Sequence, residues 1–145
     1  MRYADGFGPL DLKLQAAGLK LQARSSSNNN MRNFKKLLIW QAGMRIVNKV
    51  YDLVPFFPEE ERFGMRVQMT KCAVLIPSNI AEGSAKRSQK DYLRFVEISL
   101  ASSYELETQT LIVRDRKWLP EESVNELIQM VEMEQRMISK FIDKL

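Results

Sequence analysis

Lys86, Arg87, Lys90 and Arg94 place four cations within nine residues, and Lys86, Lys90 and Arg94 recur at every fourth position. On a helix that spacing sets three cations on one face, one per turn, which suits contacts to successive phosphates. Such contacts need charge more than shape, so the pattern points to a nucleic acid as partner. Arg62 and Arg66 form a smaller pair with the same spacing, and Arg114, Arg116 and Lys117 a third group. The ordinary alternative is a solvated helix face, with Glu82 and Asp91 close by in sequence to balance the charge.

Other reactive side chains are few. Glu97, Glu105 and Glu107 offer carboxylates for acid–base or metal chemistry, and Glu97 and Glu105, eight apart, can share a helix face. The 145 residues contain no histidine, however. A Ser-His-Asp triad, a Cys-His pair and a Glu-x-x-His di-metal site are therefore excluded. Without supporting ligands the three glutamates read as surface or helix-pairing acids. Cys72 stands alone, which rules out an intrachain disulfide and a cysteine-based zinc site. It falls on an apolar helix face and reads as a small core residue, since the adjoining Lys71 points elsewhere on a helix. A glycine-rich phosphate loop is absent. The expectation is a protein that is not an enzyme and takes no cofactor or metal.

These residues sit in a chain whose patterning is helical from Met31 onward. Leu37, Trp40, Met44, Val47, Tyr51 and Val54 recur at three- and four-residue steps, with a second apolar line of Ile39, Ile46, Val50 and Leu53 beside them. Pro55 and Pro58 stop this first helix. Pro58-Glu59-Glu60-Glu61 has the chemistry of a helix start. The second helix carries Met65, Met69, Cys72, Ile76 and Ile80 on one face, and Pro77 inside it predicts a kink or a break. Gly83 and Ser84 mark its end. Ser88 with Asp91 three residues on reads as the N-cap of a long third helix reaching about Lys117. Its core line is Tyr92, Phe95 or Val96, Ser99, Ser103, Leu106, Thr110 and Val113, and the small Ala101-Ser102-Ser103 stretch allows a close neighbour. Pro120-Glu121-Glu122 opens a fourth helix with Val124, Leu127, Ile128, Val131, Ile138, Phe141, Ile142 and Leu145 on its core face, and Met130, Met133 and Met137 around the cylinder.

Four helices with short connections predict an all-α, antiparallel up-and-down four-helix bundle in residues 31–145. The extra apolar stripes on the first and fourth helices predict a homo-oligomer that covers them. Residues 1–30 end in Ser25-Ser26-Ser27-Asn28-Asn29-Asn30 and read as a flexible leader or tail, introduced by cloning or translated from upstream, with Met31 the natural start. The competing reading is a mobile arm whose leucines bind a partner. Half of the formal charge of +4 lies in this segment, leaving +2 for residues 31–145. No apolar run approaches the roughly 20 residues of a membrane span, and the first residues lack the apolar centre of a signal peptide. The expected location is the cytoplasm, with no membrane association.

Ile76-Pro77-Ser78-Asn79-Ile80-Ala81-Glu82-Gly83 resembles the signature of the four-helix-bundle family encoded in intervening sequences of bacterial 23S rRNA genes. The resemblance covers about residues 34–145. It includes Trp40, the Phe57-Pro58-Glu59-Glu60-Glu61 turn, Gly64, Gln68, and the Ser99–Glu107 stretch with Tyr104-Glu105-Leu106-Glu107. Leu75 departs from the pattern where the family often has serine, and Lys117-Trp118-Leu119 replaces a usual Gly-Tyr-Leu. The resemblance implies a ring-like homopentamer. Related accessory proteins of diversity-generating retroelements bind a reverse transcriptase and nucleic acid through basic surfaces, which implies structured RNA or such an enzyme as partner. The signature itself reads as structural, with Pro77 shaping the second helix and Asn79 and Glu82 satisfying backbone groups near its end. The sequence thus points to a non-enzymatic scaffold that binds nucleic acid through Lys86, Arg87, Lys90, Arg94, Arg62 and Arg66. The alternative is a protein–protein adaptor whose cations only keep it soluble.

Overall fold

The computed structural model describes residues 32–145, and the chain divides into Met1–Met31 and Arg32–Leu145. The leader reading of residues 1–30 lies outside the described residues. Four helices carry the fold: α1 (Leu38–Leu53), α2 (Met65–Ser84), α3 (Gln89–Arg116) and α4 (Glu121–Asp143). Single 3-10 turns occupy Phe34–Lys36, Val54–Phe56 and Glu59–Glu61, and no strand occurs among the described residues. Each helix packs on its chain neighbour and α1 also meets α4, so the helices close into a bundle around one core.

The core line expected of α3 is observed. Tyr92, Val96, Ser99, Ser103, Leu106, Thr110 and Val113 are buried, with Phe95 half-buried. Small side chains let α2 come close. Ser99 Oγ donates to the Ile76 carbonyl at 2.8 Å, and Cys72 Sγ donates to the Ser102 carbonyl at 3.1 Å. Burial, with Glu105 adding to it, pushes the Cys72 thiol up to about 12. The thiol is therefore a core hydrophobe with a weak donor.

In α1 the second apolar line is buried throughout and the first only in part, through Val47 and Val54. Ile39, Ile46, Val50 and Leu53 are buried, whereas Trp40 and Met44 are half-buried and Tyr51 is exposed. Gly43 belongs to the buried line, where it lets α1 approach α2. A Cβ at Gly43 would stand 3.4 Å from both Cβ and Cδ of Pro77.

Two expectations for α2 require correction. Helix α2 begins at Met65, because the acidic Pro58 signal produces only the turn Glu59–Glu61. Glu61 Oε2 then accepts the Met65 N–H at 2.9 Å, supplying a cap that Gly64 cannot. Pro77 does not break α2, which runs as one element through Ser84. Buried Pro77 removes one helical hydrogen bond, but the turn around it is braced by Ser99 on Ile76 and by Asn79 Nδ2 donating to the Leu75 carbonyl at 2.7 Å. Asn79 thus acts as the signature suggested. Glu82 is exposed and its carboxylate makes no hydrogen bond among the described residues.

Helix α3 starts as expected, with Ser88 Oγ accepting the Asp91 N–H at 3.0 Å. Its end explains the departure at Lys117. Lys117 sits in the left-handed region at φ 57° and ψ 37°, and the Trp118 N–H returns to the Val113 carbonyl at 3.3 Å. This is the helix terminus where glycine is favoured, because a Cβ is strained there. Lys117→Gly is expected to raise unfolding free energy by about 0.5–1 kcal/mol, read from urea denaturation at fixed protein concentration.

Candidate nucleic-acid interface

The turn between α2 and α3 and the first two turns of α3 carry Lys86, Arg87, Lys90 and Arg94, all exposed. None of the four makes an ion pair among the described residues. Two of the cations rest on an aromatic ring. Lys86 Nζ and Arg94 Cζ each lie 5.0 Å from the centroid of half-buried Phe95.

A fifth cation joins them from before α1. Arg32 donates to the Lys86 carbonyl and, at 2.8 Å, to Gln89 Oε1, and its guanidinium lies 4.4 Å over the Tyr92 ring. Tyr92 in turn packs edge-on against Phe141 of α4 at 5.8 Å. Burial pushes the Tyr92 phenol up from its usual value, and the charge of Arg32 opposes that shift. Arg32 therefore does two things: it adds charge to the surface and clamps the turn that presents Lys86 and Arg87. Sequence spacing gave no sign of it, because its partners lie more than fifty residues away.

Arg62 and Arg66 occupy a different place. They flank the start of α2, whereas Lys86 follows its end, and a helix of 20 residues spans about 30 Å. Both are also engaged. Arg66 Nη2 donates to the Phe57 carbonyl at 2.6 Å and lies 3.5 Å from Glu59, while Arg62 pairs with Glu59 at 3.6 Å. Arg66 is a half-buried brace for the Pro58 turn, so the structure separates this pair from the Lys86 group. In the third basic group Arg114 pairs with its neighbour Asp115 at 3.1 Å.

The carboxylates do not gather into a site. Glu97 and Glu105 are exposed, and Glu107 accepts from Gln135 Nε2 at 2.8 Å, tying α3 to α4. Among the described residues no three metal-ligating side chains cluster. A shallow acidic concavity on α4, lined by Glu121, Glu122, Asn125, Glu126 and Gln129, would repel phosphate. No helix among the described residues is long and apolar enough to cross a membrane.

The sequence pattern of the 23S rRNA-intervening sequence protein family matches residues 35–140. The chain belongs to this family. A solved structure of similar fold is that of a protein of unknown function from the S23 ribosomal protein family of Bacteroides thetaiotaomicron. It superposes with a TM-score of 0.68 at 17% identity, covering 73% of this chain and 96% of the other. That likeness shows the helical fold. A search of curated proteins finds no match. In this 23S rRNA-intervening sequence protein the signature residues Ile76–Gly83 form the last two turns of α2, immediately before the basic turn.

Proposed function

We propose that the protein is a non-enzymatic oligomeric scaffold that binds structured RNA, or a nucleic-acid-processing partner such as a reverse transcriptase, through its basic surface. The observation that carries this reading is the group Arg32, Lys86, Arg87, Lys90 and Arg94, exposed and without a carboxylate partner among the described residues. Phosphates are the natural counter-charge for such a group, and releasing condensed counterions from the nucleic acid drives the association. The reading places this role in residues 31–145 and gives residues 1–30 no part in it.

An antiparallel, up-and-down order of helices is part of the reading. It is supported by the pairs Cys72 with Ser102 and Ile76 with Ser99, in which rising numbers on α2 meet falling numbers on α3. Assembly is supported by apolar side chains left in solvent: of the stripes expected on the first and fourth helices Tyr51 and Met133 are exposed, and Val67 and Leu75 on α2 and Ile98 and Ile112 on α3 add to them. A homopentamer would repeat the basic surface five times on one particle, and repetition multiplies weak contacts. The cytoplasm is the compartment that fits a nucleic-acid partner.

Charge reversal of Arg87 and Lys90 together tests the reading, because neither braces the fold. RNA affinity of the wild type is expected to fall linearly with salt on logarithmic axes. The double variant should bind at least ~10-fold more weakly at moderate salt and with a shallower salt slope. Particle mass by light scattering should not change. Equal affinity in the variant would remove this surface as the RNA site. Recovery of a protein partner after nuclease treatment, with no salt-sensitive RNA affinity, would favour the adaptor alternative.

A further inference from the structure

We infer that the basic surface takes the sugar–phosphate backbone of a duplex and does not take the faces of unstacked bases. The inference rests on the nucleic-acid reading above and specifies its ligand. Proteins that hold single strands do so by offering aromatic rings on which bases stack, beside a basic groove. Among the described residues two rings lie directly against these cations, and both are roofed by them. Phe95 lies under Lys86 and Arg94, each 5.0 Å from its centroid. Tyr92 is 3% exposed and carries the Arg32 guanidinium at 4.4 Å. A base could stack on either ring only by displacing a cation already held there by the ring's electrons.

Reading of base edges is also disfavoured. Such reading uses the side-chain amides of Asn or Gln and the bidentate fork of Arg. The one amide in the group, Gln89, is committed to Arg32, and the fork of Arg32 is divided between Gln89 and the Lys86 carbonyl. Arg87 and Arg94 keep their forks free. An A-form RNA duplex, however, hides its major-groove base edges in a groove too deep and narrow for side chains, so with Lys86 and Lys90 they offer the duplex charge. Lys90 and Arg94 are one turn apart on α3, a rise of about 6 Å, comparable to the step between successive phosphates of one strand. The rings therefore serve as seats that hold cations in an outward row. Binding through such a row carries little sequence information. A duplex meets it best, because a duplex presents its phosphates in fixed rows and keeps its base faces stacked inside.

The test compares a short RNA duplex, a second duplex of scrambled sequence, and oligouridine of equal length, with the full chain and at several salt concentrations. Both duplexes should bind within ~3-fold of each other, and oligouridine at least ~10-fold more weakly. Phe95→Leu, with Phe95→Met as a second variant of similar bulk, should weaken duplex and oligouridine by the same factor of about 3, because the ring seats cations and stacks no base, thermal unfolding confirming that the variant read is folded. Oligouridine bound as tightly as duplex, or lost ~10-fold on replacing Phe95, would overturn the inference while leaving the basic surface as the RNA site. Absence of salt-sensitive binding to all three probes by the wild type would remove the parent reading and this inference with it.

Discussion

Replacing Glu134 by leucine is expected to stabilise the fold by several kcal/mol at about pH 8, and by much less at about pH 4. Glu134 lies in α4 with 0% exposure, and neither carboxylate oxygen has a hydrogen-bond partner among the described residues. Burial pushes its carboxyl up to about 8, and the charge of Arg45 on α1 works against that shift without cancelling it. At neutral pH the folded protein therefore holds a proton on Glu134 that the unfolded chain releases. The folded value is raised above the unfolded 4.5, so the associated stability is fully present below pH 4.5 and is lost as pH rises through about 8. Within that window unfolding free energy should fall with pH by up to about 1.4 kcal/mol per unit, on the order of 4–5 kcal/mol in all. Glu134→Leu removes this slope, and also the cost of burying a neutral carboxyl without a partner, about 1–3 kcal/mol at every pH. Glu134→Gln should abolish the slope while keeping most of the orphan cost. Urea denaturation across this pH range, at one protein concentration because assembly would shift the midpoint, reads all three chains. A wild-type stability that stays flat from about pH 5 to 8 would show that Glu134 does not titrate in this way.

Glu134 also marks where sequence reading stops. The buried seam of α4 runs Val124, Leu127, Val131, Glu134, Ile138, alternating steps of three and four. Hydrophobic pattern located every member except the glutamate, because polarity is the signal by which a residue is assigned to the surface. The gap of seven between Val131 and Ile138 was the visible trace: a helix cannot keep one face in a core and skip a turn. In α3 the same logic worked through serines and a threonine, since flanking apolar residues fixed the face and small size was compatible with burial. In α1 it found both lines without ranking them, and Gly43, which faces Pro77 from the buried line, adds nothing to a hydrophobic count. The basic row was legible for the opposite reason. Lys86, Lys90 and Arg94 meet through local helix geometry, which spacing encodes. Arg32 reaches the row only through the tertiary fold, and the Glu59 pairing of Arg62 and Arg66 depends on a turn where a helix start was expected. Local periodicity thus reveals which charges share a helix face, and only folding decides which of them stay unpaired.

Gly83→Ala is expected to destabilise the protein by up to about 2 kcal/mol, although alanine is the better helix former. A Cβ at this position would meet Phe95 Cβ at 2.9 Å, Tyr92 Cδ2 at 3.1 Å and the Tyr92 carbonyl oxygen at 3.2 Å. Two of these atoms belong to or adjoin the α3 backbone and cannot swing aside, so the helices themselves must part. Overpacking of this kind costs about 1–3 kcal/mol, more than the roughly 1 kcal/mol that glycine loses to alanine in a helix interior. Gly43→Ala provides the contrast. Its nearest neighbours would stand at 3.4 Å, an ordinary contact, so the propensity gain should leave stability unchanged or slightly higher. The position of Gly83 gives the substitution a second consequence. Tyr92 and Phe95 are the seats of Arg32, Lys86 and Arg94, so pushing α3 away from α2 displaces the cations together with the rings. Gly83→Ala should therefore lower RNA affinity while removing no charge, with the salt slope kept because the number of cations is unchanged. Gly43→Ala should leave both readouts alone. Equal stability of the Gly83 and Gly43 variants would show that α2 and α3 can separate at no cost, and that the signature glycine is not what sets the basic row in place.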